Sequence, residues 1–476
     1  MPDRAEPSAA EAGSPFGFLL ALLLLSTLAA KLWLAWRFEG FLTGDDLEIV
    51  QSAAKYALGA RYDPWSLRCL FHPIALVAPV LKLGAWFGAR DPRVITWLAA
   101  IPTAIFSTAA IALTAALARC WGFSRRAAAA AAFLSAFAWL SLAYGSSSFP
   151  RPISTALFLA AFLLAGSQGR SLSPALAAGV LAGAAFAVRW SEGVVLIPLC
   201  AWTAWKFRSP RKVFAIAGGF ALGTLLFAGI TDWLTWGAPL KSLAEFFRIM
   251  YLERPPMEEA PIWDYLYTAL HWSGPVLLLL LIPAWKERCA RPAMAVFGSI
   301  VALLSLFGHK EWRYLQVSIP FLAMAAAAGW ERLRARGWRV LAAAALVLAV
   351  PYGLERSIAI LSNRSAAEID ASRFINGLRP RPRTLAFEQQ WAYGEHLYLG
   401  NDVVIREIEL SRPIRPRAIR EAAAGADVAA VYALHFDDAG RREFEGLGFR
   451  QIARFRKLRS YECLVFGRGP YVNPGP

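Results

Sequence analysis

The chain has 476 residues, of which 57% are hydrophobic and 18% charged, with a formal net charge of +16. A soluble domain carries roughly 25% charged residues and interrupts its apolar runs; here many runs reach the roughly 17–25 residues that cross a bilayer as a helix. Composition therefore excludes an ordinary soluble enzyme, and the absence of any basic soluble module excludes nucleic-acid binding as the meaning of the charge.

The first apolar run, 16–36, follows an acidic polar tail. It lacks a basic flank and a small-residue cleavage site, so it reads as a retained span and not a signal peptide. Further spans are expected at 94–118, 127–146, 152–167, 174–189, 192–206, 213–231, 265–285, 292–308, 314–330 and 338–354. Segment 71–88 is short and interrupted by Pro73, Pro79 and Lys82, which suits a helix lying in the interface.

Basic residues collect at Arg119/Arg125/Arg126, Arg170, Lys206/Arg208/Arg211/Lys212, Lys286/Arg288/Arg291 and Arg332/Arg334/Arg336/Arg339. With 71–88 left out as a span, all these clusters fall on the cytoplasmic side, as the positive-inside rule requires. The expectation is an α-helical polytopic membrane protein with about eleven crossings. Its N-terminus is inside, and its membrane domain covers 1–355. The remainder, 356–476, has Pro-rich joints, β-like runs ("TLAFEQ", "DVVIREIEL", "VAAVYAL", "ECLVFGR") and one helical stretch ("PRAIREAAAGA"), so it reads as a small α/β domain on the outer face. The five cysteines show no metal or redox spacing.

On this topology the chemically interesting residues share the outer side. "TGDDLEIVQSA" brings Asp45, Asp46 and Glu48; "SSSFPRPIST" brings Arg151; "AVRWSEG" brings Arg189 and Glu192; the long loop 232–263 begins at Asp232; and "GHKEWRY" brings His309, Lys310, Glu311 and Arg313. Ionisable groups at membrane depth usually face a water-filled cavity or each other. A carboxylate can serve as general base while arginine, lysine and histidine hold an oxyanion. Together they describe transfer of a group from a lipid-linked phosphate to a hydroxyl. The competing readings are a capped, solvated acidic loop for Asp45–Glu48, snorkelling helix ends for Arg151 and Arg189, a helix cap for Asp232, and a two-helix turn for 309–313. A lipid or solute transporter would also carry intramembrane charge, but internal repeats are not seen.

"GHKEWRYLQVSIPFLA" resembles the "HKE-x-R-F/Y … P" signature of the GT-C mannosyltransferases of the Alg9-like family, which extend N-glycan precursors and GPI anchors. "TGDDLEIVQSA", "SLRCLFHPIALVAPV", "FPRPISTAL", "DWLTWGAPLKSLAEFFRIMY" and "PIWDYL" resemble the other family motifs in the family's order. The resemblance covers about residues 15–355. It implies a GT-C fold and an inverting displacement from a polyprenyl-phosphate sugar, commonly mannose, to a glycolipid or glycan acceptor, with no cofactor and no obligatory metal. It puts the base on Asp45 or Asp46. It sets His309, Lys310, Glu311 and Arg313 beside the donor phosphate, and Arg68, Arg151, Arg189 and Asp232 are the further candidates for the donor phosphate or substrate. The implied location is the bacterial inner membrane with the site facing the periplasm. A related lipid-linked glycan or phospho-group transferase is the alternative. This sequence departs from the family where Thr43-Gly44 replaces His-Pro and Pro152 replaces Thr.

Overall fold

A computed structural model describes residues 15–169, 171–253, 259–364, 366–457 and 461–472. The acidic tail before residue 15, Arg170, and residues 254–258 of the long loop lie outside the described residues.

Each of the eleven apolar segments expected to span contains helix. Among the described residues four helices are long and apolar enough to cross a membrane: Phe16–Arg37, Pro92–Cys120, Pro210–Trp236 and Arg339–Leu361. The others are shorter or broken, so the count of eleven rests on joining pieces. The breaks have local causes. Ala138 leaves helical geometry between Arg125–Phe137 and Trp139–Tyr144. Short 3-10 helices, Trp190–Val195 and Trp312–Ser318, precede helices Leu196–Phe207 and Ile319–Ala335. Gly274, with φ 83°, separates short turns from Pro275–Ala284. A hydropathy scan fuses such pieces because their side chains stay apolar while the backbone changes.

The chain folds as two compact units. The first comprises Met1–Lys31, Ala104–Gly145 and Pro150–Glu355. It is helical, and its closest packing joins Ser173–Val188 to Pro210–Thr224. Gly179 and Gly183 on one helix meet Gly219 and Gly223 on the other. A methyl group added at Gly179 would stand 2.1 Å from the Ile216 carbonyl oxygen, and one at Gly219 would stand 2.2 Å from that of Leu176. Two small residues four apart on each helix let the backbones touch, the usual device for helix association in lipid.

The second unit comprises Leu32–Thr103, Ser146–Phe149 and Arg356–Pro476. It contains a mixed five-stranded sheet: β1 (Thr384–Glu388), β2 (Val404–Ile408), β3 (Val428–Tyr432), β4 (Phe449–Phe455) and β5 (Cys463–Arg468), in the order β2-β1-β3-β5-β4. β1 pairs in parallel with β2 and β3, and β5 runs antiparallel to β3 and β4. One sheet face packs on Ala367, Ala371 and Ile375 of helix Ala366–Gly377, the other on Ile419 and Phe444 of Pro416–Ala423 and Asp438–Gly446. The four expected β-runs are β1, β2, β3 and β5. β4, "FRQIARF", lies on the sheet edge, and its polar face hides it from a hydrophobic pattern.

In the same unit, "GDDLEIVQSAAKYAL" is the helix Gly44–Leu58, so the acidic residues after the first span open a helix. Its apolar side packs on Val77, Ala78 and Leu81 of the 72–86 segment and on Ile369 and Tyr398. The 71–88 segment is a π-turn, His72–Val77, running into Ala78–Trp86, with Leu83, Trp86 and Phe87 exposed.

Candidate functional site

The acidic motif forms the first turn of helix Gly44–Leu58. Thr43, in extended geometry, caps the helix: its hydroxyl accepts from the Asp45 amide at 3.2 Å and donates to Asp46 Oδ1 at 3.0 Å. The Thr43 hydroxyl thereby both caps the helix and fixes the Asp46 carboxylate. Gly44 follows because even a methyl group there would lie 3.3 Å from the Trp65 ring. Three carboxylates are thereby buried within one turn at a helix N-terminus, where the helix dipole favours negative charge.

Their partners differ. Asp46 Oδ2 accepts from the Leu42 amide at 3.0 Å, so both its oxygens are used in shaping the turn. Asp45 pairs with Arg68, whose guanidinium also lies 5.7 Å from the Trp65 ring centre. Glu48 accepts from the Trp65 amide at 2.9 Å, from Ser52 at 3.4 Å and from the Tyr62 hydroxyl. Burial raises the pKa of Asp46 and of Glu48, opposed for Asp46 by Arg364 and for Glu48 by the Tyr62 hydrogen bond.

Arg364 is a buried cation that sequence reading missed. It donates to the carbonyls of Phe38 at 2.5 Å and Ser146 at 2.7 Å, and it lines a small polar cavity with Asp46, Glu39, Thr96, Ser147 and Ser148. Burial lowers its pKa to about 10. Tyr62 was missed as well. Neither residue lies in a motif, and only the fold brings them to the acidic turn.

The basic motifs gather in the other unit. Arg151, wholly buried, opens helix Arg151–Ala165. Its Nη1 donates to Glu192 at 3.0 Å and its Nη2 to Ser191 at 3.2 Å, and its guanidinium lies 4.2 Å from the Tyr314 ring centre. Ser154 donates to the same Glu192. Arg189 caps helix Ser173–Val188 beside this pair. The "GHKEWRY" segment forms a compact ring. Arg313 pairs with Glu311, His309 Nε2 is 3.7 Å from Glu311 and its ring meets Tyr314 edge-on, and Lys310 donates to the carbonyls of Ala260 at 2.8 Å and Phe307 at 2.7 Å. The Tyr265 hydroxyl donates to the Glu311 carbonyl at 3.2 Å. Arg151 and Arg313 thus lie over the Tyr314 ring with Arg189 and Glu311 nearby, and Glu192 joins them through Arg151. Asp232 does not join them through any described contact. It is buried at the end of a long apolar helix, and its Oδ2 accepts from the amide and hydroxyl of Ser242 at 2.9 and 2.6 Å.

Among the described residues no group of three histidine, cysteine, aspartate or glutamate side chains is arranged to hold a metal ion.

Comparison with known proteins follows the same outline. The profile of the Alg9-like mannosyltransferase family matches residues 62–392. No curated protein sequence matches the chain. In fold the chain is similar to the crystal structure of ArnT from Cupriavidus metallidurans in the apo state, with TM-score 0.69 at 14% identity, covering 95% of this chain and 98% of that one. The same protein bound to undecaprenyl phosphate gives TM-score 0.67 at 14% identity over the same shares. The apo oligosaccharyltransferase of Archaeoglobus fulgidus gives 0.50 at 13% identity, covering 86% of this chain and 69% of that one.

Proposed function

The chain belongs to the Alg9-like mannosyltransferase family, of GT-C type, and on that premise we propose that it moves mannose from a polyprenyl-phosphate donor to a hydroxyl of a glycolipid or glycan on the outer face of a bacterial inner membrane. A lipid-phosphate donor is supported by the full-length likeness to a protein crystallised with undecaprenyl phosphate. Eleven crossings with the domain 356–476 outside keep the basic loops together on the cytoplasmic side. The reaction needs no cofactor.

The observation that carries the reading is the buried acidic turn. Asp46 is committed to the turn through both oxygens, which leaves Asp45 as the base. In the proposed step the acceptor hydroxyl gives its proton to Asp45 as its oxygen bonds to the anomeric carbon. The bond from that carbon to the phosphate oxygen breaks, its electron pair leaves with the polyprenyl phosphate, and the anomeric centre inverts. Arg68 pairs with Asp45 and orients it. The family resemblance sets Arg313 and the His309–Lys310 corner of the first unit beside the phosphate, and Arg151 and Arg189 are the further candidates, since its developing charge needs fixed cations. Arg151 reaches that role already neutralised by Glu192, so its contribution is orientation as much as charge.

Asp45→Asn is expected to lower transfer from labelled polyprenyl-phosphate mannose by about 10²–10⁴-fold while the protein still folds, the loss typical for a general base. Normal transfer by Asp45→Asn would sink this assignment, and a loss confined to Asp46→Asn would move the base to Asp46. A protein that rejects the mannosyl donor yet accepts another polyprenyl-phosphate sugar would keep the reaction and replace the sugar.

A further inference from the structure

Within the second unit the acidic turn is framed by one buried cation. Arg364 follows the last apolar helix, Arg339–Leu361, and precedes helix Ala366–Gly377. Its guanidinium joins two loops that are distant in sequence. Nη1 donates to the Phe38 carbonyl at 2.5 Å, in the loop that leads from the first span into the acidic turn, and Nη2 donates to the Ser146 carbonyl at 2.7 Å. Both loops then close on Asp46. The Leu42 amide donates to Asp46 Oδ2 at 3.0 Å, and the Ser148 hydroxyl donates to the Asp46 carbonyl at 3.2 Å. Gly40, at φ 113°, bends the chain between Phe38 and Leu42. The hydrogen bonds therefore form a closed ring that starts and ends at Arg364 and has Asp46 opposite.

Inside this ring is a polar cavity of about 10 Å³, lined among others by Arg364, Asp46, Ser147 and Ser148. That is room for about one water. Arg364 Nε is buried and makes no hydrogen bond within the protein, so its N–H is free for such a water. A single water between a guanidinium N–H and a carboxylate serves both groups. The charge of Arg364 also acts on Asp46 and opposes the effect of burial on that carboxyl. An arginine meets two carbonyls and a third acceptor at once with fixed geometry, whereas the lysine ammonium is a point charge without that fork. A second tie from the same domain reaches the same loop at its surface: Arg373 and Tyr398 donate to Glu39 Oε1 at 2.5 and 2.7 Å, and Arg373 is exposed.

We propose that Arg364 is a positioning residue for the transfer reaction: it fixes the 38–42 and 146–148 loops and, through water in the cavity, the Asp46 carboxylate, and so sets where Asp45 stands. The assignment rests on the transfer reading above. Arg364 touches no substrate in this role. Asp45 and Asp46 are consecutive in the first turn of helix Gly44–Leu58, so a shift of one carries the other. Misplacing a reacting group by about 1 Å can cost about 10²-fold in rate.

The test uses the full-length protein, labelled polyprenyl-phosphate mannose as donor, and a chloroform–methanol lipid extract of the source cells as acceptor probe. Rates are taken on the folded, monodisperse fraction. Arg364→Ala is expected to lower kcat about 10²-fold, with the KM for donor and for extract each within about twofold. Arg364→Lys, which keeps the charge and loses the fork, should lower kcat about tenfold. Arg373→Ala, which cuts the exposed tie to the same loop, should keep kcat within about twofold. A double-mutant comparison separates action through Asp46 from general support of the fold. In an Asp46→Asn background, Arg364→Ala should lower kcat by less than about tenfold further, because the two residues work as one unit. Should Arg364→Ala fail to fold, Arg364→Lys carries the test. Wild-type kcat in Arg364→Ala or Arg364→Lys overturns the proposal, as does a loss confined to KM or full additivity with Asp46→Asn. Failure of the transfer reading shows elsewhere, as full activity in Asp45→Asn.

Discussion

Half-buried Glu395, in the domain after residue 356, has a consequence that can be measured on the folded protein without any substrate. Its folded pKa, about 7, lies above the ordinary glutamate value because of burial and two acidic neighbours. An acid raised in the folded state is protonated there while the unfolded chain is already ionised. The stability from its neutral form is full below pH about 4.5 and is lost as pH climbs through about 7. Asp46 and Glu48 are raised too and act in the same direction. Thermal stability of the wild type is therefore expected to decline between pH 5 and 8, and Glu395→Gln to flatten that decline and melt higher at pH 8. A steeper fall in the variant would show that the carboxylate is paired. At this scale the sequence was half legible. Asp45, Asp46 and Glu48 stand out because acids between apolar runs are costly and few. Glu395 lies in an unremarkable polar stretch, and its setting depends on a contact across 343 residues between Gln51 and Gly394. Arg364 is equally silent, a single arginine after the last apolar helix until it is seen buried against Asp46.

Among the elements, the helix pair Ser173–Val188 and Pro210–Thr224 supplies the sharpest test of packing. Both are Ala- and Gly-rich, a composition attributable to genome bias until the backbones are seen in contact. Gly179→Leu or Gly219→Leu must push a carbonyl away from 2.1 or 2.2 Å, which no rotamer change can relieve. Each should cost about 1–3 kcal/mol, the range for overpacking, and lower the melting temperature. Gly218→Leu is the internal control, since a Cβ there meets nothing within 4 Å. Equal melting of all three would mean that the helices do not pack through these glycines. Element type was easy to read where periodicity or β-branched runs persisted, as in β1, β3 and β5, each almost wholly buried. It failed at β4, whose two arginines face solvent on an edge, and at helix Ala366–Gly377, which reads as a polar tail until its alanines are seen against the sheet.

For the whole molecule the open quantity is sidedness. Among the described residues four helices have the length and composition of spans, while the eleven-crossing topology joins shorter and broken helices across 3-10 turns and proline starts. Hydropathy sees the total apolar length and not the breaks, and charge asymmetry sees the ends and not the path. The two kinds of evidence are independent, so their agreement can be tested directly. Exposed Lys286 sits in a basic loop assigned to the cytoplasm, and exposed Glu409 in the domain assigned outside. In an otherwise cysteine-free protein in intact cells, Lys286→Cys should resist a membrane-impermeant maleimide until the membrane is opened. Glu409→Cys should react at once. An even number of crossings between the two positions would make both behave alike, and the acidic turn and the loops after it would then have to be reassigned to opposite sides. Opposite labelling keeps the basic loops on the lipid-charge side and puts the domain after residue 356 across the membrane from them.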